Sequence, residues 1–186
     1  RETSYTGIVS CMNSHRRLLL FTGDGKGKTT AALGMVLRAA GHGMRICVIQ
    51  FIKNDPETGE RKALSRLPGV EFIQAGLGFV PAGNHGDFPV HRQAAREAMK
   101  IAEERFCRKA CDLIVLDEIC TACAMNLISL DEVIRLIGNA PPGTIVVLTG
   151  RNAPPALIDM ADTVTVMECR KHAFQAGIRA EKGVEY

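Results

Sequence analysis

Several things are scarce in this sequence, and each scarcity excludes something. No apolar run approaches the roughly 20 residues that a membrane-spanning helix needs, so no transmembrane helix is expected. Charge of one sign is scarce too: 23 Lys and Arg against 20 Asp and Glu leave a net +3, too little to point to a nucleic-acid partner. The opening residues, Arg1 to Thr6, contain no initiator methionine and no hydrophobic core of a signal peptide, so a trimmed chain and a cytoplasmic location are expected. An even set of cysteines is also missing. There are seven, most of them in segments that read as helix or strand, which fits reduced thiols better than a disulfide framework. Internal repeats and low-complexity segments are absent, and there is no tryptophan at all.

What is present is organised around one stretch. Leu18-Leu19-Leu20-Phe21 is a short apolar run bounded by turn residues, the pattern of a buried strand. Gly23, Gly25 and Gly27 then alternate with Asp24 and Lys26, and from Lys28 the residues turn helical, Thr-Thr-Ala-Ala-Leu-Gly-Met-Val-Leu-Arg-Ala-Ala. A strand, a glycine loop and a helix N-terminus together aim backbone N–H groups and the positive end of a helix dipole at one point, which makes an anion cradle. The usual phosphate-loop spacing has four residues between its first glycine and Gly-Lys-Ser/Thr. Here Thr22 stands where that first glycine belongs and Gly23 lies one position closer. In this loop Lys28 can reach a terminal phosphate, Lys26 adds a second charge, and the Thr29 hydroxyl, followed by Thr30, can ligate Mg²⁺. The alternative, a glycine-rich turn with solvated lysines, does not account for the strand before it and the helix after it.

The rest of the chain alternates strand and helix. Strands are expected at 45–51, 70–74, 112–118, 144–149 and 163–167, and helices at 60–67, 91–109, 119–125, 130–138 and 154–160. Ser129 and Glu132 carry the spacing of a capping box. Residues 75–90 hold four glycines and two prolines, a long loop of the kind that serves as lid or binding loop. Such alternation implies a P-loop NTPase-like α/β fold, a mostly parallel sheet of about six strands covered by helices on both faces. Residues 17–186 read as one domain, and residues 1–16, weakly patterned, as an N-terminal arm.

Four further groups carry candidate chemistry. Asp117 and Glu118 end an apolar strand, as in a Walker-B element, where a carboxylate faces the Mg²⁺ that Thr29 would hold; read alone, the pair equally suits acids capping the next helix. Arg151 follows a strand end and either grips a phosphate bidentately or is a solvated surface arginine. Arg38 lies too far along its helix for the loop's own phosphates, and either meets a folded-back sugar or base or is solvated. Cys120-Thr-Ala-Cys123 has a zinc-like spacer, but an intervening strand pulls Cys107 and Cys111 away from it. His85, Asp87 and His91 make only a weak metal pattern.

Taken together, Thr22–Thr30, Val48–Lys53, Gly69–Phe72, Leu116–Glu118, Leu148–Arg151 and Lys171–Gly177, in that order, closely resemble the P-loop type of ATP:corrinoid adenosyltransferase. The resemblance spans about residues 17–186. It implies that a cobalt(I) corrinoid attacks C5′ of ATP, forms a cobalt–carbon bond and expels the whole triphosphate. It further implies that ATP lies in the loop in the reverse sense, with C5′ turned to the corrinoid. By residue match, Gly23, Asp24, Gly25, Lys26, Gly27, Lys28, Thr29 and Thr30 hold the phosphates. Thr29 and Glu118 serve Mg²⁺, and Arg38 and Arg151 contact the nucleotide. Lys28 and Phe79 act in the reaction, Phe79 by displacing the lower axial ligand of cobalt. The family pairs that phenylalanine with a tryptophan two residues on, and Pro81 stands there instead. A homodimer with the arm over a partner's corrinoid site and an electron-donating flavoprotein reductase are implied as partners. Two other readings stay open on the residues alone: a small kinase or NTPase releasing ADP, and a non-catalytic nucleotide-binding module.

Overall fold

The computed structural model describes residues 15–80 and 88–185. Six strands form a single sheet in the order β3-β2-β4-β5-β1-β6, and every pairing in it is parallel. The strands are β1 (Arg17–Thr22), β2 (Ile46–Gln50), β3 (Val70–Gln74), β4 (Leu113–Asp117), β5 (Ile145–Thr149) and β6 (Thr163–Val166). Helices α1 (Lys28–Gly41), α2 (Gly59–Leu64), α3 (Phe88–Cys107), α4 (Ile119–Ala124), α5 (Leu130–Gly138) and α6 (Pro155–Met160) fill the crossovers. No helix among the described residues is long and apolar enough to cross a membrane.

The alternation of side chains along each strand divides the core in two. Leu18, Leu20, Cys47, Ile49, Ile114, Leu116, Val146 and Leu148 face α3, α5 and the buried side of α4. Leu19, Phe21, Ile46, Val48, Leu113, Val115 and Val147 face α1 and the end of α2. Because both faces are covered, all of β2 and β4 is buried, the continuous apolar pattern of a parallel sheet. The edge strands β3 and β6 are only partly covered.

Most expected elements are present with slightly different ends. The helix expected over 91–109 begins earlier, at Phe88, and ends at Cys107. Pro89 is its second residue, a position whose N–H has no intrahelical partner to lose. The loop expected over 75–90 is therefore shorter, and Pro81, His85 and Asp87 lie outside the described residues. So do residues 1–14 of the expected arm; His15 accepts from the Gly143 amide. Ser129 and Glu132 form the reciprocal capping box at the start of α5.

Candidate active site: a phosphate cradle at the carboxyl ends of the strands

The register places a row of polar residues at the carboxyl ends of the central strands. Gln50 of β2 lies opposite Asp117 of β4, and Thr149 of β5 lies opposite Phe21 of β1. Asp117, Gln50 and Thr149 are all fully buried or nearly so, so each must find a partner. Asp117 Oδ1 accepts from the hydroxyls of Thr29 at 2.8 Å and Thr149 at 2.7 Å, and Oδ2 from Gln50 Nε2 at 2.9 Å. Gln74 donates to Gln50, and Arg61 donates to Gln74. Asp117 is thus the centre of a network that ties the first turn of α1 to four strands. In this structure it positions Thr29; the acid that faces the cavity is its neighbour.

That neighbour, Glu118, adopts a left-handed backbone conformation at φ 64°, which breaks the strand direction and starts α4. Its amide donates to Thr149 Oγ1 at 2.8 Å. Its carboxyl is largely buried and Oε2 has no hydrogen-bond partner. Burial first and the nearby Asp117 charge second push its pKa up to about 7, against the pull of Lys53 and Arg151. An orphaned, buried carboxylate oxygen on a cavity that Thr29 also lines is a donor suited to a hard divalent cation.

The loop itself is built on close approaches. Gly23 has φ 96°, and a Cβ there would come 2.4 Å from the Met167 carbonyl oxygen, so no other residue fits. The Gly25 amide donates to that same carbonyl at 2.7 Å. Gly27 precedes α1, and no side chain caps the helix, which leaves first-turn donors for an anion. Lys28 Nζ donates to the carbonyls of Gly23 at 2.7 Å and Gly25 at 2.6 Å. Burial, followed by the charge of Arg151, lowers its pKa. Gly25 to Thr30 line a cavity of about 910 Å³, together with Lys53, Glu118, Thr121, Thr149, Gly150 and Arg151, a size suited to a nucleotide. An apolar wall from α1, α2 and the turn after α2, including Leu33, Leu37, Ala63, Leu64 and Leu67, continues it.

The sequence-derived candidates separate into two sets. Gly25, Lys26, Gly27, Lys28, Thr29, Thr30, Glu118 and Arg151 are brought together around this cavity. Arg151 is exposed, with its amide held by Thr121 Oγ1 at 3.0 Å. Gly23 accepts from Lys28 just behind the cavity, and Asp24 is exposed. Lys26 turns away from the loop: its Nζ donates to the Val184 carbonyl at 2.7 Å and pairs with Glu185 at 3.1 Å. Arg38 is exposed on α1 and does not line the cavity. Phe79 is 87% exposed beyond β3, in a segment whose Gly78 amide is held by the Ile52 carbonyl. Cys111, Cys120 and Cys123 are buried, before and after β4. His91 is buried in the first turn of α3.

Sequence reasoning missed Gln50, Lys53, Thr149 and His172 as site residues. For the first three a signal existed, since each lies at or just past the carboxyl end of an apolar strand, where ligands bind in such sheets.

Residues 14–186 match the model of the family described as ATP:corrinoid adenosyltransferase BtuR/CobO/CobP. A corrinoid adenosyltransferase of Pseudomonas aeruginosa is 42% identical over 180 residues, covering 96% of this chain and 88% of its own. One from Escherichia coli is 37% identical over 179 residues, 96% of this chain and 90% of its own. A third, from Sinorhizobium, is 40% identical over 172 residues, 91% and 79% respectively. A glycine loop at the carboxyl ends of an all-parallel sheet, in a chain that the family model covers over residues 14–186 and these relatives match nearly end to end, makes the protein a member of the ATP:corrinoid adenosyltransferase family.

Proposed function

We infer that this protein transfers the 5′-deoxyadenosyl group of ATP to the cobalt of a reduced corrinoid and releases triphosphate. The supporting observation is the concentration of anion donors around one cavity: the open first turn of α1, Lys28 and Arg151. Such a site stabilises charge that grows on a departing polyphosphate oxygen. In the reaction the cobalt(I) electron pair forms the cobalt–carbon bond, the C5′–O5′ bond breaks, and its pair leaves on the triphosphate. No proton moves, so the chain needs no general base.

Lys28 must exchange its two carbonyl partners for phosphate oxygens, and Arg151 closes on the nucleotide from the end of β5. Thr29 and Glu118 would hold Mg²⁺, with Asp117 keeping the Thr29 side chain in place. Bound there, the ion adds positive charge beside the phosphate oxygens. Phe79, exposed past β3, is the side chain we assign to the lower face of the corrinoid. A homodimer and an electron-donating flavoprotein reductase, supported by the resemblance, an arm over residues 1–16, supported by its weak patterning, and a cytoplasmic location, supported by the cysteine pattern of reduced thiols, complete the reading. Arg38 enters only if the nucleotide reaches beyond the described cavity wall.

The test is direct. Protein, Mg²⁺, ATP and chemically reduced cobalamin are mixed in the dark, and a light-sensitive alkylcobalamin absorbance is followed together with triphosphate. Equal amounts of both are expected. Release of ADP or orthophosphate without an adenosylated corrinoid would sink the assignment.

A further inference from the structure

The segment after β6 is bonded to the glycine loop through Gly25 and Lys26. From Glu168 to Glu185 every residue is exposed except His172, which lines the cavity along with Gly183, Val184 and Glu185. The segment is held at three points. The Met167 carbonyl accepts from the Gly25 amide, the Val184 carbonyl accepts from Lys26, and the Glu185 carboxylate accepts from Lys26 and the Glu181 amide. These bonds spend the Lys26 charge on the tail. They also leave Glu185 neutralised at the cavity rim, with its carboxyl held below the ordinary range first by the Glu181 amide and then by Lys26.

His172 is oriented by its own chain. Its Nδ1 accepts from the Phe174 amide at 3.2 Å, at the start of the 3-10 turn Ala173–Ala176. An acceptor at Nδ1 fixes the neutral ring as the Nε2–H tautomer, so the distal nitrogen is a donor. The residue lines the same cavity as the loop residues Gly25 to Thr29 and as Lys26 and Glu185, which pair with each other. Resting on the nucleotide reading above, we propose that His172 donates its Nε2–H to a phosphate oxygen of the bound nucleotide, and that Lys26 fastens the tail that carries it. His172 is then a further polyphosphate contact, and Lys26 is a positioning residue.

Two substitutions split the two nitrogens. His172→Asn keeps an acceptor for the Phe174 amide and loses the distal donor; His172→Gln keeps a distal donor and loses the acceptor. Binding of inorganic triphosphate and of ATP, each with Mg²⁺, is measured by calorimetry on the full chain. His172→Asn is expected to weaken both ligands about tenfold, the size of one hydrogen bond to a charged group, while His172→Gln stays within about threefold of wild type. Four results would overturn the proposal: the reverse order, which makes the ring only a cap; a loss for ATP but not for triphosphate, which moves the contact to the sugar or base; no loss in either variant; and a wild type that binds neither ligand. Only the last also removes the nucleotide reading.

Discussion

The Gly25 amide donates to the Met167 carbonyl at 2.7 Å, so the phosphate loop and the chain leaving β6 form one unit. A Cβ on Gly25 would come 2.7 Å from the carbonyl oxygens of both Met167 and Glu168, closer than backbone atoms can tolerate. Gly25→Ala is therefore expected to lift the tail from the loop. Limited trypsin digestion should cut at Arg170 and Lys171 several-fold faster than in wild type, while the melting temperature of the core changes little.

Lys28→Ala removes the amine that we assign to the phosphates and that rests on the Gly23 and Gly25 carbonyls. Turnover should vanish and ATP affinity should fall at least tenfold, as for the loss of a charge-assisted contact. Phe79→Ala should leave ATP affinity and stability within about 0.5 kcal/mol of wild type, because its ring is exposed. Its effect is expected on corrinoid reduction and transfer, the role proposed for this side chain. Titration calorimetry with ATP and a cobalamin reduction assay, run on both variants, separate the two roles.

Asp117→Ala leaves the hydroxyls of Thr29 and Thr149 and the amide of Gln50 without their common acceptor. The loss is expected to be about 3 kcal/mol, the cost of stranding buried donors around a removed charge. Urea unfolding measures it directly. A midpoint unchanged from wild type would mean that the network is not what holds Thr29.

Glu118 makes the metal-free protein sensitive to pH. Its folded pKa, about 7, lies above the ordinary carboxyl value, so the folded chain binds more protons than the unfolded one between those two values. Stability is then highest below the unfolded pKa and falls as pH rises through about 7. The contribution across that window is on the order of 3 kcal/mol. Glu118→Gln should flatten this dependence in thermal melts run with chelator, and Mg²⁺ should restore stability at high pH in the wild type alone.

Much of this site was readable in the sequence because its signals are local. The run Leu18–Phe21, the glycines after it and the helical spacing after Lys28 specify strand, loop and helix within a few residues. Asp117 and Glu118 announce themselves as acids ending an apolar strand. Ser129 and Glu132 make their capping box across a single turn. What the spacing could not show was how the two acids divide their work, since that depends on the register that sets Gln50 and Thr149 beside Asp117. Nor could it show the partner of Lys26, which lies 158 residues away in the chain. The early start of α3 at Phe88 was hidden by Pro89, which reads as a breaker unless it is placed in the first turn.

The amine of Lys28, bonded to two carbonyls of its own loop, also bears on selectivity. A small ion such as orthophosphate would have to displace both of those contacts while touching only part of the cradle. A chain of phosphates spanning the loop can replace them and gain the helix amides as well. On the proposed assignment, the resting lysine is expected to favour long polyanions over short ones, which competition between orthophosphate and triphosphate for the cavity would measure.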